Sequence, residues 1–403
     1  MCSPPRRPRP ARTGGSRRGG LALFAGALAA ALLLAPASAR AFPQWQFSAG
    51  AARCDQCHYG PAGGGLLTGY GRDASGEEQA MFGGNGAFLH GRASLPSWIA
   101  VGGDFRGAFV AEDVQDPDGT KIAAFPMQAQ VAARAAVGDV SAYASVAYRG
   151  QIRNNDNIVP DQNNQPITAS WLVLPEHYLM WRPSAVGPYV RAGRFFAPFG
   201  LRFAEHVLYT RSDLGFDTMQ ESYNLSGGYV MEDYELHLTL AAPDFLRHMG
   251  STESAATAYF ERRIADRAAV GLQARYAGSP GMDRTILGAV GKYWLAPLRT
   301  MLLLEADLSL RQVAIGTGAT AGSNGLVTVG GVAVLPTRGL MVTLLGERSQ
   351  TELNVGNTAT SGALGLLSWF PYAHTEVQLV GLLQFPSGSP AAKTFLAQVH
   401  YFL

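Results

Sequence analysis

Cys54-Asp55-Gln56-Cys57-His58 sets two thiols three positions apart and an imidazole directly after the second. With two residues between them, one turn of chain presents both sulfurs along one edge and carries the imidazole beneath. That is the geometry a c-type haem needs, with two thioether bonds to its vinyl groups and a histidine nitrogen on its iron. Cys54 and Cys57 are therefore read as the attachment residues and His58 as the proximal ligand of one covalent haem c. A redox dithiol and half of a zinc site use the same cysteine spacing. The first calls for a βαβ unit around it and the second for two further ligands close by. For the sixth iron position the nearest candidates are Met81, in Gln79-Ala80-Met81-Phe82-Gly83, and then His90. His177, His206, His237, His248, His374 and His400 lie further along the chain, and an open position is the remaining option.

The compartment follows from the residues ahead of this motif. Arg6, Arg7, Arg9, Arg12, Arg17 and Arg18 precede an apolar stretch from Leu21 to Ala35, and Ala39-Arg40-Ala41 supplies the small side chains of a cleavage site. This is the layout of a secretory signal over residues 1–41, on a chain of 403 residues with three cysteines. Fifteen apolar residues fall short of the ~20 a spanning helix needs. The segment holds seven arginines and no acid, so the remainder carries 25 basic and 30 acidic residues, a net of −5. Such a balance gives nucleic acid nothing to bind. Cys2 leaves with the signal, and Cys54 and Cys57 are the cysteines the exported chain keeps.

Composition narrows the fold that must position the motif. Charged residues make up 15% of the chain, hydrophobic residues 47%, and glycine alone contributes 48 positions. After residue 40 no apolar run is long enough for a membrane-spanning helix, and aromatics spread along the length argue against disorder. Beyond residue 92 hydrophobicity alternates with period two. Leu302, Leu304, Ala306, Leu308 and Leu310 alternate with Glu305, Asp307 and Ser309; Leu236, Leu238 and Leu240 alternate with Glu235, His237 and Thr239; and Val270, Leu272 and Ala274 lie opposite Gln273 and Arg275.

Connection lengths separate a soluble sandwich from a membrane barrel. Short turns fall at 138–139, 183–187, 232–233, 265–266, 296–297, 336–337 and 371–372, and longer connections at 112–121, 150–169, 197–223, 243–253, 277–282, 312–324, 349–358 and 385–392. Long and short alternate throughout, as in bacterial outer-membrane barrels with short periplasmic turns and long outer loops. These connections join sixteen strands, an even number, of about 9–11 residues each. The expected architecture is an all-β transmembrane barrel of about 16 antiparallel strands over residues 92–403, embedded in outer-membrane lipid of a Gram-negative bacterium. The haem segment, residues 42–91, precedes it. With 50 residues and glycine runs at 63–65 and 69–71, that segment cannot build a core of its own, so the barrel is expected to complete the haem pocket at its periplasmic mouth or in its lumen.

Three resemblances sharpen this. Arg191-Ala192-Gly193-Arg194-Phe195-Phe196-Ala197-Pro198-Phe199-Gly200-Leu201 resembles the Gly-x-x-x-x-Pro-Phe-Gly segment of the phosphate-selective porins, which precedes their pore-constricting loop. The resemblance implies that residues 197–223 fold inward, carrying Arg202, Glu205, His206, Arg211, Asp213 and Asp217 into the pore. The dense Lys or Arg ladder of a phosphate channel is missing, so anion selectivity is not carried over. The last strand, Phe395, Ala397, Val399, Tyr401 and Leu403 in phase with Phe402 out of phase, resembles the terminal strand that barrel assembly machinery recognises, though such strands mostly end in Phe or Trp. A single-haem segment on a porin-like barrel resembles the porin–cytochrome proteins that move electrons across outer membranes.

The leading expectation is therefore electron transfer at or across the outer membrane, with periplasmic or extracellular cytochromes or a diffusible redox carrier as partners. The alternative is a small-solute porin with the haem segment as plug or gate. A haem enzyme would need a distal acid or base to which nothing in the sequence points. The processed chain should begin at Phe42; an intact mass that retained Leu21 to Ala35 would replace export with anchoring.

Overall fold

The computed structural model describes residues 43–48, 50–113, 121–149, 172–217, 220–243, 253–315 and 319–403. The expected signal, residues 1–41, and the connections 150–169 and 244–252 lie outside the described residues. Five short helical turns, at 43–45, 54–57, 69–74, 75–79 and 88–91, occupy the chain ahead of the first strand. The strands are β1 (Ile99–Asp113), β2 (Lys121–Val137), β3 (Val140–Arg149), β4 (Leu172–Val173), β5 (His177–Trp181), β6 (Gly187–Phe195), β7 (Ser222–Val230), β8 (Tyr234–Ala242) and β9 (Ser254–Ile264). They continue as β10 (Ala268–Ser279), β11 (Met282–Leu295), β12 (Thr300–Ile315), β13 (Ala319–Thr337), β14 (Leu340–Gln350), β15 (Ala359–Trp369), β16 (Thr375–Pro386) and β17 (Ala392–Phe402).

Each strand pairs antiparallel with its sequence neighbours, and β1 also pairs with β17, from Asp104 opposite Phe402 to Asp113 opposite Lys393. The ring is closed. β4 and β5 both pair with β3, so they share one stave and the barrel has sixteen. Several strands outrun the expected 9–11 residues, β13 having 19, because they continue past the ~25 Å apolar band. This corrects three connections: the loop expected at 312–324 shortens, since Ile315 already pairs with Ala319, the turn expected at 336–337 falls at 338–339 between β13 and β14, and a third becomes a hairpin. The long loop expected at 277–282 is a two-residue hairpin, Ser279 opposite Met282 across Pro280-Gly281, with φ of 82° at Gly281 as the third residue of a Pro-Gly turn allows. The barrel also begins at Ile99 rather than 92, residues 92–98 serving as a connection.

The alternation resolves into an outer apolar face and an inner polar one. On β8, Leu238 and Leu240 are 55% and 62% exposed, while Glu235, His237 and Thr239 are buried. On β12, Leu304 faces outward and Glu305, Asp307 and Ser309 face the lumen, fully buried. An apolar outside is what hydrocarbon accepts and a polar inside is what a barrel interior carries. Phe402 breaks phase for a local reason: it points inward and packs with Leu403 against Leu67 of the N-terminal segment.

The chain folds as a closed antiparallel β-barrel of sixteen staves with an apolar outer face, the form of a membrane-spanning barrel. Because all strand hydrogen bonds are shared around a ring without an edge, the detergent-solubilised protein should migrate compactly unless boiled and more slowly after boiling. Migration unchanged by boiling would contradict closure.

Candidate functional site

The motif folds as one helical turn, α1 (Cys54–Cys57), followed by a glycine turn and a second short helix, α2 (Gly69–Ala74). The Gln56 side chain accepts from Arg53 N at 3.0 Å, and His58 N donates to Cys54 O at 3.1 Å, closing the turn. Thr68 caps α2 by accepting from Gly71 N at 3.1 Å and donates to Gln56 O at 2.6 Å. Residue 71 must be glycine here, since a Cβ would lie 2.3 Å from the Cys57 carbonyl oxygen. An antiparallel bridge from His58 to Leu67 ties the two ends of the intervening turn.

This unit sits in the short-turn end of the barrel, the periplasmic end in such proteins. Asp55 is buried between Arg53, at 3.1 Å, and Arg182 of the β5–β6 turn, at 2.5 Å, while Arg53 also contacts Glu232 of the β7–β8 turn. Arg338 of the β13–β14 turn donates to Ala80 O at 2.6 Å and Gly76 O at 3.0 Å. Met81 N donates to Phe370 O at 2.7 Å and Phe82 N to Pro371 O at 2.9 Å, on the β15–β16 turn. Deeper in, Gln46 bonds both Glu261 and Lys292 of the wall, at 3.2 and 2.8 Å. The segment is thus held by four turns and the lumen wall, as a segment without a core requires.

Cys54, Cys57 and His58 line one cavity of about 880 Å3, part of it open to solvent, with Trp45, Leu67 and Phe402 among its mostly apolar walls. Strand β17 thus contributes a wall, as the small size of the segment implied. Both thiols are free. Burial pushes both up, Cys57 to about 12 despite its exposed neighbours, so they are protonated. Metal-binding and redox-active cysteines sit where surroundings pull the thiol down, and among the described residues no group of three or more His, Cys, Asp or Glu is placed to hold a metal ion. Burial pulls the His58 imidazole down to about 4, against the carbonyls of Gly65 and Gly64. It is neutral at pH 7, the form that ligates iron. Its Nδ1 is buried without a well-formed hydrogen bond. Two free thiols and a neutral imidazole on one largely apolar cavity fit a covalent haem.

The two sequence candidates for the sixth ligand are not brought to this cavity. Met81 is drawn to the β15–β16 turn through its backbone and lies against Gly339, whose Cβ position is 2.4 Å from that of Met81. His90 is exposed at the barrel rim, its Nε2 3.0 Å from the Tyr401 hydroxyl and its ring 5.0 Å from that of His374. The candidate-bearing side chain that does line the cavity is His400, with Nδ1 2.9 Å from Glu376 and Nε2 3.3 Å from Asp104. Its place at an inward position of the last strand was readable from period two, but which inward residue meets the motif depends on the docking of the segment.

Residues 196–217 fold into the lumen, as the Pro-Phe-Gly resemblance implied. The wall holds them by their backbone: Gly200 N donates to Gln273 at 2.7 Å, Leu201 N to Glu305 at 2.9 Å and Tyr209 N to Glu347 at 2.8 Å. Arg211 donates to the carbonyls of Phe203, Ala204 and Phe216, and Arg202 bonds Glu235 at 2.8 Å and Ala62 O of the segment at 2.7 Å. Asp213 accepts from Ser349 at 2.5 Å. These charges brace the loop, whereas the His206–Asp217 pair, 3.3 Å apart, is 40% and 37% exposed. A second cavity of about 1120 Å3 lies between the loop and residues 62–65.

No family model matches the chain, and no curated protein matches it. Among solved structures it is similar to the outer membrane channel DcaP of Acinetobacter baumannii, with 12% identity over 75% of this chain and 96% of that one and a TM-score of 0.53. It is similar also to OmpT of Vibrio cholerae, with 10% identity over 77% and 99% and a TM-score of 0.56. An anion-selective porin from Comamonas acidovorans gives 11% identity over 75% and 98% and a TM-score of 0.53. At such identities the likeness is one of fold.

Gly71→Ala should lift α2 from α1, an overpacking cost of about 1–3 kcal/mol. Protease cleavage within residues 43–98 should then rise roughly tenfold or more, with the barrel intact. Gly69→Ala, whose Cβ meets nothing within 4 Å, should leave cleavage unchanged.

Proposed function

We propose that this outer-membrane barrel carries a covalent haem on its N-terminal segment and takes part in electron transfer at the membrane. The observation that carries the reading is the shared cavity of Cys54, Cys57 and His58, walled partly by the barrel's own β17. In this reading Cys54 and Cys57 hold the group, His58 ligates its iron, and the bound haem supplies one-electron redox chemistry. The protein's part is positional. The turn residues Arg182, Glu232 and Arg338 fix the segment, and Leu67 and Phe402 keep water from one side of the cavity. Its partners would be outer-membrane lipid and a periplasmic or extracellular cytochrome, or a diffusible carrier. A single site cannot bridge a ~25 Å apolar band unaided.

The second reading, small-solute transport with the segment as plug, is favoured by the channels and porins that share the fold. Against free passage stands the filled lumen: the segment enters from one end, and the inward loop meets it through Arg202 and Ala62 O.

Cys54→Ser with Cys57→Ser should abolish haem staining after denaturing electrophoresis; staining that survived would remove these residues as the attachment site. In liposomes with a reductant outside and an acceptor inside, deleting residues 42–91 should end electron flux and raise small-solute conductance together. Equal flux with and without the segment would sink the redox reading and leave the transport one.

A further inference from the structure

His90 and His374 meet at the rim of the barrel, outside the cavity of the motif and away from the inward loop. His90 comes from the N-terminal segment and is exposed, while His374 comes from the β15–β16 turn and is fully buried. Their ring centroids are 5.0 Å apart at 73°. Two imidazoles on one metal, at M–N distances of about 2.0–2.1 Å and angles between square and tetrahedral, have ring centres about 4.5–5.3 Å apart. Among the described residues neither ring nitrogen of His374 makes a well-formed hydrogen bond, the backbone of Gly86 and Ala87 being its nearest polar neighbours, although the ring is 0% exposed. Leaving such a group unsatisfied costs stability unless something occupies it.

The backbone is bent to bring the rings together. Leu89 and His90 adopt φ of 49° and 57°, and His374 adopts 66°, all left-handed conformations that side-chain-bearing residues pay to hold. Tyr401 takes Nε2 of His90 at 3.0 Å, leaving Nδ1 for a ligand. Arg72, whose charge is felt at His374, is turned aside onto Val101 O at 2.5 Å and the Phe88 ring.

We propose that His90 and His374 form a two-histidine site for a borderline divalent cation, Cu2+ or Zn2+, at the periplasmic rim. Imidazole suits both metals. Among the described residues no third His, Cys, Asp or Glu joins them, so the remaining positions are open to water or to a group on a docking partner. The site pins the segment to the β15–β16 turn and is independent of the haem reading.

The test is Cu2+ titration of the purified, tag-free, detergent-solubilised full chain, followed by electron paramagnetic resonance. One Cu2+ per chain with nitrogen hyperfine structure is expected. His90→Ala should weaken it by more than about tenfold with heat-modifiable migration unchanged, and His206→Ala should leave it unaffected. Binding should persist in the Cys54→Ser, Cys57→Ser variant, which separates this site from the haem. Absence of bound Cu2+ in the wild type, or equal binding by His90→Ala, would overturn the proposal. So would a changed haem absorption spectrum in His90→Ala, which would make His90 an iron ligand instead.

Discussion

Hydrocarbon offers no partner to a backbone N–H or C=O, so every strand that crosses it must be bonded on both edges. From that constraint comes the ring closed by β1 and β17, and from the ring comes the inversion of ordinary burial. Leucine and valine stand outside, while Asp104, Arg106, Glu261, Arg263, Lys292 and Asp307 are buried within. Charges enclosed in this way are costly unless paired. Lys292 accordingly lies 2.8 Å from Glu261, Arg263 3.0 Å from Glu235, and Arg106 2.9 Å from Asp104.

The same enclosure explains why a 50-residue segment with no core can be held so firmly. It does not fold against itself; it completes hydrogen-bonding that the lumen and turns leave unfinished. Gln46 inserts its amide between Glu261 and Lys292, and Arg202 of the inward loop, already on Glu235, also takes Ala62 O. The contacts on the segment are spread over several staves and turns, so its position does not depend on one hinge.

What could be read from residues alone were the features set by local rules. Period two separates Leu238 from His237, the long–short alternation places most of the turns, and Cys-x-x-Cys-His sets its own spacing. The misreadings are where a neighbour decides. The 277–282 connection contracts because β10 and β11 outrun the membrane. Met81 and His90 lie near the motif in sequence, yet the β15–β16 turn takes both away from it. His400, more than 300 residues from the motif, lines the cavity instead. Nothing local to either residue encodes that exchange; the register of β17 on β1 does.

That register also shapes the cavity. The cavity wall formed by Phe402, the Leu403 N to Gly103 O bond of 3.4 Å and the Phe402 N to His374 O bond of 2.9 Å all depend on the last residues of the chain. Without β17 the segment would still meet its four turns, and what would be missing is the packing of Leu67 on Phe402 and Leu403. Strand β17 therefore completes two structures at once: it removes the last open edge that lipid forbids, and it shuts the cavity beside Cys54, Cys57 and His58. A change that loosens β17 therefore reaches the motif through Phe402 as well as its neighbours β1 and β16.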